Sequence, residues 1–271
     1  MFVPLLMAHQ GGDAVRLRNA LLLFVSFCFV SSTGYILNDF FDAGHDRLHR
    51  SKQHRPISAN EIPPRVALAM VPLLLLAGMA AAWPLGRGVV TGVGLYMTMT
   101  TLYTVLIKRF AIADVILLTS FYSLRLLAGG AATDIVVSRW LLAFSSFLFL
   151  SLALTKRYAD LTRAAALGEP LPGGRGYAIG DGDLLRSFGV ACGCISVLVF
   201  ALYLNSEQVT RLYSSTDPLW GICALLMYWI GRIWLLAHRG EMDDDPIVFA
   251  ARDPISYAVA LVAAAILFLA T

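Results

Sequence analysis

The sequence predicts an all-α fold, a polytopic membrane helical bundle, and three observations carry that reading. Of 271 residues, 58% are hydrophobic and 14% are charged, with a mean hydropathy of +0.70. Soluble domains carry roughly 25% charged residues. Eight apolar stretches recur along the chain, each near the roughly 20 residues that a bilayer core requires. Lys and Arg divide unequally between alternate loops. Backbone groups in lipid must be satisfied internally, so the stretches are helices rather than open sheet.

Taken in order, the spans are residues 20–37, 66–85, 89–107, 111–131, 139–155, 187–205, 218–237 and 254–270. The apolar residues 1–8 are too short to cross and lack a basic n-region and an A-x-A site, so they are not a signal peptide. They are expected to be the end of a span that starts earlier. Loops after the first, third, fifth and seventh spans hold fourteen cations: Arg47, Arg50, Lys52, Arg55, Arg65, Lys108, Arg109, Lys156, Arg157, Arg163, Arg175, Arg186, Arg239 and Arg252. The other side holds five: Arg16, Arg18, Arg87, Arg139 and Arg211. That bias places the first set in the cytoplasm. A net charge of +3, divided by topology, gives no nucleic-acid groove. Cys28, Cys192, Cys194 and Cys223 lie in apolar helices with no metal or disulfide spacing, and read as packing residues.

The chain reads as one domain, residues 1–271, with two long cytoplasmic loops at 38–65 and 156–186. Both begin with charged residues at a helix end, four spans apart, which hints at a duplicated four-helix unit.

The first loop opens Asn38-Asp39-Phe40-Phe41-Asp42-Ala43-Gly44-His45-Asp46. On a helix, Asp39, Asp42 and Asp46 fall at i, i+3 and i+7, so the carboxylates share a face. Three like charges at a membrane edge repel and are costly to bury. A divalent cation among them removes that cost, and oxygen-only ligands favour Mg²⁺. Arg47, His49, Arg50, Lys52, His54 and Arg55 follow at once. Acid for metal, then base for phosphate, outlines a diphosphate site; the plainer reading is a solvated acidic loop.

The second loop opens Lys156-Arg157-Tyr158-Ala159-Asp160 and runs into Leu171-Pro172-Gly173-Gly174-Arg175-Gly176-Tyr177. The glycines are suited to a phosphate turn or to a flexible connector. Asp114, Arg125 and Arg232 lie at or within spans, where ionisable residues point to function. Asp114 and Arg125, eleven apart, share a helix face that should line a polar cavity. Either Arg125 grips a phosphate or it forms a structural ion pair with Asp114. Tyr103 and Lys108 end the preceding helix near Asp114. Arg232 stands open between snorkelling anchor and ligand. The stretch Glu241-Met242-Asp243-Asp244-Asp245 is a solvated loop or part of a second metal site.

At this point the residues match a family. Asn38-Asp39-x-x-Asp42-x-x-x-Asp46 resembles the first Asp-rich motif of the UbiA superfamily of intramembrane prenyltransferases, and the resemblance covers nearly the whole chain. It implies a nine-helix fold around a central cavity, here with the first helix truncated and eight full spans. It also implies Mg²⁺ and the donor diphosphate at Asp39, Asp42 and Asp46; Asn38, Lys52, Arg55, Tyr103, Lys108, Asp114 and Arg125 are expected to bind substrate. Within the superfamily the chain is most similar to the decaprenyl-phosphate phosphoribosyltransferases. The matching segments are Asn38-Asp39 through His54-Arg55-Pro56-Ile57, Asp114-Val115 through Leu124-Arg125-Leu126-Leu127-Ala128-Gly129-Gly130, Ser138-Arg139-Trp140, Lys156-Arg157-Tyr158-Ala159-Asp160 and Arg252-Asp253. The resemblance implies transfer of 5-phosphoribose from phosphoribosyl diphosphate to a polyprenyl phosphate, toward cell-envelope glycolipid precursors. The active site would face the cytoplasm from a bacterial inner membrane. Some relatives carry a soluble phosphatase-like domain ahead of this one.

Aromatic prenyltransferases of the superfamily have a second D-x-x-x-D motif in the later loop. Here Asp160 is followed four residues on by Ala164, with Lys156 and Arg157 just before it. That departure favours cationic clamping of a phosphorylated donor, with Lys156, Arg157 and Asp160 as catalytic residues. Prenyl transfer to an aromatic acceptor is the alternative chemistry. A transporter of an anionic or lipid-linked substrate is the alternative class, with Asp114 and Arg125 as its path and Pro72 and Gly129-Gly130 as helix breaks.

Overall fold

A computed structural model of the protein describes residues 1–8, 10–47, 53–168, 175–207, 209, 213–242 and 245–270. Lys52, His49, Arg50, Arg211, residues 171–174 and the acidic pair Asp243 and Asp244 lie outside the described residues. Every regular element is helical: α1 (Val3–Met7), α2 (Ala14–Asp46), α3 (Pro64–Ala82), α4 (Arg87–Val105), α5 (Ala113–Thr133), α6 (Arg139–Leu167), α7 (Gly182–Leu204), α8 (Trp220–His238), α9 (Pro246–Ala250) and α10 (Pro254–Ala270).

The eight expected spans correspond to the eight long helices. Six of them are long and apolar enough to cross a membrane: α2, α3, α5, α6, α7 and α8. Of the others, α10 has 17 residues, and α4 has 19, with five threonines and two tyrosines that lower its hydropathy. Hydropathy places the helix ends wrongly at two points. The first long loop was expected to start at Asn38 and the second at Lys156. Instead α2 runs on through Asp46 and α6 through Leu167. An apolar run ends where a membrane core would end, whereas a helix ends where its backbone finds a cap. Gly168, at φ 62°, supplies that cap for α6. The two longest helices, of 33 and 29 residues, are therefore the two that carry charged motifs beyond their apolar part.

The chain divides into two compact units, Met1–Val137 with Pro172–Gly176, and Ser138–Leu171 with Tyr177–Thr271. Each contains four long helices. In the first, α2 packs against α3, α4 and α5. Its buried stripe is Leu23, Phe27 and Val30, and α4 answers with Val89, Val93 and Tyr96. Both sets step by four and then three, the spacing of one helix face. Phe121, Ala128 and Ala132 of α5 complete this core. Ser26 Oγ donates to Gly78 O at 2.7 Å, where the missing side chain lets α2 and α3 approach.

In the second unit α6 lies along α7, and α8 packs on both. Gly189 and Gly193 of α7, one turn apart, make room for Trp234 and Ile230 of α8. The Trp234 indole N–H donates to Ser151 Oγ at 3.1 Å, and Ser151 Oγ donates to Gly189 O at 2.7 Å. A Cβ on Gly189 would overlap the Trp234 ring and stand 3.0 Å from Leu154 Cβ. Gly189→Ala is expected to destabilise the detergent-solubilised protein by about 1–3 kcal/mol, as overpacking does. An unchanged melting temperature would contradict this packing.

Arg232, open between snorkelling anchor and ligand in the sequence, is engaged in an ion pair. Its guanidinium grips Asp253 with two parallel bonds of 2.7 and 3.0 Å, tying α8 to the start of α10. Burial pushes the Asp253 carboxyl up, but the bonds from Ser256 and Arg232 outweigh it and hold the group below the ordinary carboxylate range. A depressed carboxyl contributes stability that is complete above its unfolded value, about 3.9, and is lost as pH falls through the lower folded value. Melting temperatures scanned from pH 6 to pH 3 should fall below about pH 4, less steeply in Asp253→Asn. Equal slopes would contradict the assignment.

Candidate functional site

In the first unit the C-terminal end of α2 presents its carboxylates on one face. Asp46 is buried and Asp39 and Asp42 are half-buried. The Asn38 side chain hydrogen-bonds the Asp39 carboxylate. The chain then doubles back through turns at residues 53–62. Arg47 fastens these turns to the helix end, its Nε donating to Ser58 O at 3.2 Å and its Nη2 to Asn60 Oδ1 at 2.9 Å. Asn60 sits at φ 60°, a left-handed conformation that asparagine tolerates. The returning segment delivers Arg55. Its Nη1 lies 2.8 Å from Asp39 Oδ1 and 2.9 Å from Asp46 Oδ2, so one guanidinium nitrogen bridges two carboxylates.

Asp42 has a different cation. Lys108, 8% exposed, donates its ammonium to Asp42 Oδ1 from the short 3₁₀ turn Ile107–Arg109. The link from that turn to α5 is unusual. Ile112 has φ 65°, which a β-branched residue seldom adopts. Gly176 closes against it, with no room for a Cβ beside Arg109 O and Ala111 N. Asp114 is fully buried in the first turn of α5, accepting from the Val115 N–H at 2.7 Å. Tyr103 packs edge-on against Phe121 at 6.0 Å.

The three carboxylates expected to hold one metal are thus on one face but shared between two cations. Among the described residues no group of three or more His, Cys, Asp or Glu side chains converges as a metal site. The donor set nevertheless fits a hard divalent ion. All its ligand atoms are carboxylate oxygens, and a positive charge already stands between two of them.

Arg125 lies deeper. The alternative of an ion pair with Asp114 does not hold, because eleven residues of α5 separate them by about 16 Å along the axis. Instead Arg125 Nη2 donates to Ser31 Oγ at 3.0 Å and to the Tyr96 hydroxyl. The guanidinium also stands 5.0–5.9 Å from the ring centroids of Tyr96, Phe27 and Tyr122. The sequence reading missed Tyr96 and Ser31. Tyr96 is seven residues from Tyr103, on the same face of α4, and that periodicity was the available signal.

In the second unit the overrun of α6 carries the other charged set. Arg157, 2% exposed, pairs with Asp160 at 3.2 Å, and Lys156 pairs with Asp245 at 2.6 Å. Asp245 also caps α9, accepting from the Ile247 N–H at 3.0 Å. That gives the described end of the Glu241–Asp245 stretch a structural role. The Tyr158 hydroxyl lies 2.8 Å from His238 Nδ1, and Arg163 donates to Met242 O at 3.1 Å. None of His238, Asp245 or Arg163 stood out in the sequence as a partner of this helix end.

The sequence model of the UbiA prenyltransferase family matches residues 1–252. The chain is 35% identical over 269 residues to the protein y4nM of Sinorhizobium fredii, covering 98% of this chain and 52% of that one. It is 31% identical to the nodulation protein NoeC of Azorhizobium caulinodans, over 93% of this chain and 82% of NoeC. It is 34% identical to the decaprenyl-phosphate phosphoribosyltransferase of Mycolicibacterium smegmatis, over 55% of this chain and 46% of that enzyme. The chain therefore spans about half the length of two of these relatives. A solved UbiA homologue from Archaeoglobus fulgidus, bound to GPP and Mg²⁺, superposes with a TM-score of 0.67 at 17% identity, over 92% of this chain and 85% of that one. With six helices able to cross a bilayer, the protein is an integral membrane protein.

Proposed function

The chain belongs to the UbiA prenyltransferase family, and from that premise we propose that it transfers 5-phosphoribose from phosphoribosyl diphosphate to a polyprenyl phosphate in the membrane. The observation that carries the reading is the end of α2, where acid and base interleave: Asp39 and Asp46 around Arg55, and Asp42 on Lys108. Similarity to the mycobacterial phosphoribosyltransferase, and the absence of a second D-x-x-x-D at Asp160, favour a phosphorylated sugar donor over a prenyl donor.

In the proposed reaction the C1–O bond to diphosphate breaks, and an oxygen of the carrier phosphate bonds to C1. Asp39, Asp42 and Asp46 would hold Mg²⁺, which when bound supplies positive charge against the departing diphosphate. Arg55 and Lys108 exchange their carboxylates for diphosphate oxygens when the donor arrives. Lys156 and Arg157 bind donor phosphate, and Asp160 faces the positive charge that develops at the sugar. Asn38 orients Asp39. The apolar helix faces hold the lipid and exclude water. The charge bias of the loops supports a cytoplasmic active site in a bacterial inner membrane. The whole chain, residues 1–271, works as one catalytic domain.

The test is mass spectrometry of lipids formed by purified protein with polyprenyl phosphate, ribose-labelled phosphoribosyl diphosphate and Mg²⁺. Labelled ribose in the lipid product supports the reading. Label entering only from a prenyl diphosphate onto an aromatic acceptor would replace it with the prenyl-transfer chemistry.

A further inference from the structure

Arg125 is half-buried, and it differs from the other buried and half-buried cations of the helices. Lys108 faces Asp42, Arg157 faces Asp160 and Arg232 faces Asp253. Among the described residues no carboxylate pairs with Arg125. Its Nε is buried with no hydrogen-bond partner. A guanidinium has five N–H donors, and here one nitrogen serves both hydroxyls. The rings of Phe27, Tyr96 and Tyr122 soften the charge without neutralising it. An arginine held inside a membrane bundle without a counter-ion is costly unless an anion visits it.

The place is also separate from the carboxylate face. Ser31, which Arg125 contacts, precedes Asp39 by eight residues on one continuous helix, about 12 Å of rise. The two hydroxyls there, Ser31 Oγ and Tyr96 OH, lie 3.2 Å apart, so one donates to the other and one proton is left for an incoming oxygen. A planar guanidinium beside a free hydroxyl donor matches the several oxygens of one phosphate.

We propose that Arg125, Ser31 and Tyr96 form a phosphomonoester-binding site, distinct from the diphosphate site at Asp39–Asp46, that makes the enzyme select substrates carrying a single terminal phosphate. The inference rests on the phosphoribosyl reading. Both substrates of that reaction carry a phosphomonoester, at the sugar 5-position and at the head of the lipid carrier. A prenyl diphosphate and an unphosphorylated aromatic acceptor carry none. Arg125 is then a specificity determinant.

The full chain in detergent is titrated calorimetrically with ribose 5-phosphate in one arm and geranyl phosphate in the other, both without Mg²⁺. Inorganic diphosphate with Mg²⁺ reports on the carboxylate site. At least one monophosphate should bind, and Arg125→Leu should weaken it about ten- to a hundredfold, the value of a charge-assisted bond. Arg125→Lys should restore part of the loss, Tyr96→Phe should cost less than Arg125→Leu, and diphosphate binding should not change. Binding in the sugar arm assigns the site to the donor, and binding in the lipid arm to the carrier. Tyr96→Phe carries the test if Arg125→Leu does not fold. Failure of both monophosphates to bind, or binding unaffected by these variants, overturns the inference and leaves Arg125 as a brace between α2, α4 and α5. The labelled-ribose assay is read separately. Ribose transfer with monophosphate binding blind to Arg125 sinks this site alone, whereas prenyl transfer sinks the phosphoribosyl reading.

Discussion

Asp39→Asn and Asp46→Asn should each lower turnover by at least about 10²–10³-fold while the protein stays folded, the scale on which one charged contact to a leaving group acts. The substitution keeps shape and hydrogen-bonding capacity and removes one charge. Arg55 still has the other carboxylate of its pair, at 2.8 or 2.9 Å. Metal binding is measured directly, by Mn²⁺ electron paramagnetic resonance without substrate, and should weaken in both variants. Asp42→Asn should behave differently. Its partner Lys108 is 8% exposed, so removing the charge leaves a buried ammonium short of its counter-ion. A stability loss of about 1–3 kcal/mol should accompany the loss of turnover. Near-normal turnover in Asp39→Asn and Asp46→Asn at saturating Mg²⁺ would remove the metal assignment. Equal stability of Asp42→Asn and Asp39→Asn would contradict the separate role of Lys108.

The carboxylate face was legible in the sequence because it is local. Asp39, Asp42 and Asp46 share a face by spacing alone, and α2 extends to Asp46 as that spacing requires. The cations that meet them were legible as types but not as partners. Arg55 returns to Asp39 through turns at residues 53–62, and Lys108 reaches Asp42 from another helix, 66 residues away. Long-range pairing has no sequence period. The same limit explains Arg125. Its charge stood out within an apolar run, but its partners Ser31 and Tyr96 are 94 and 29 residues away. Helix positions came from hydropathy and were recovered for all eight long helices. The ends of α2 and α6 were not, because hydropathy marks the edge of an apolar run, whereas ion pairs such as Arg157–Asp160 at i, i+3 and a left-handed glycine decide where the helix stops.

Lys156 and Arg157 are adjacent in sequence, yet their substitutions should separate cleanly. The Lys156–Asp245 pair is about one-third exposed on both sides, at 36% and 31%. Such a pair is worth up to about 1 kcal/mol, so Lys156→Gln should leave the melting temperature nearly unchanged. If Lys156 grips donor phosphate, the same variant should lose about ten- to a hundredfold in affinity for phosphoribosyl diphosphate. A large binding loss on an intact fold is the signature of a ligand contact. Arg157 is the opposite case. Its side chain is 3% exposed against Asp160 at 28%, and breaking a buried pair costs about 3–5 kcal/mol at the upper end. Arg157→Leu should therefore destabilise the second unit, and its effect on turnover cannot be read alone. Asp160→Asn resolves it, because the carboxylate is the more exposed partner. If Asp160 faces the charge that develops at the sugar, this variant should reduce kcat with little change in donor affinity. Donor affinity within about twofold of wild type in Lys156→Gln, together with unchanged kcat in Asp160→Asn, would make the whole set an ordinary positive-inside anchor at a helix end.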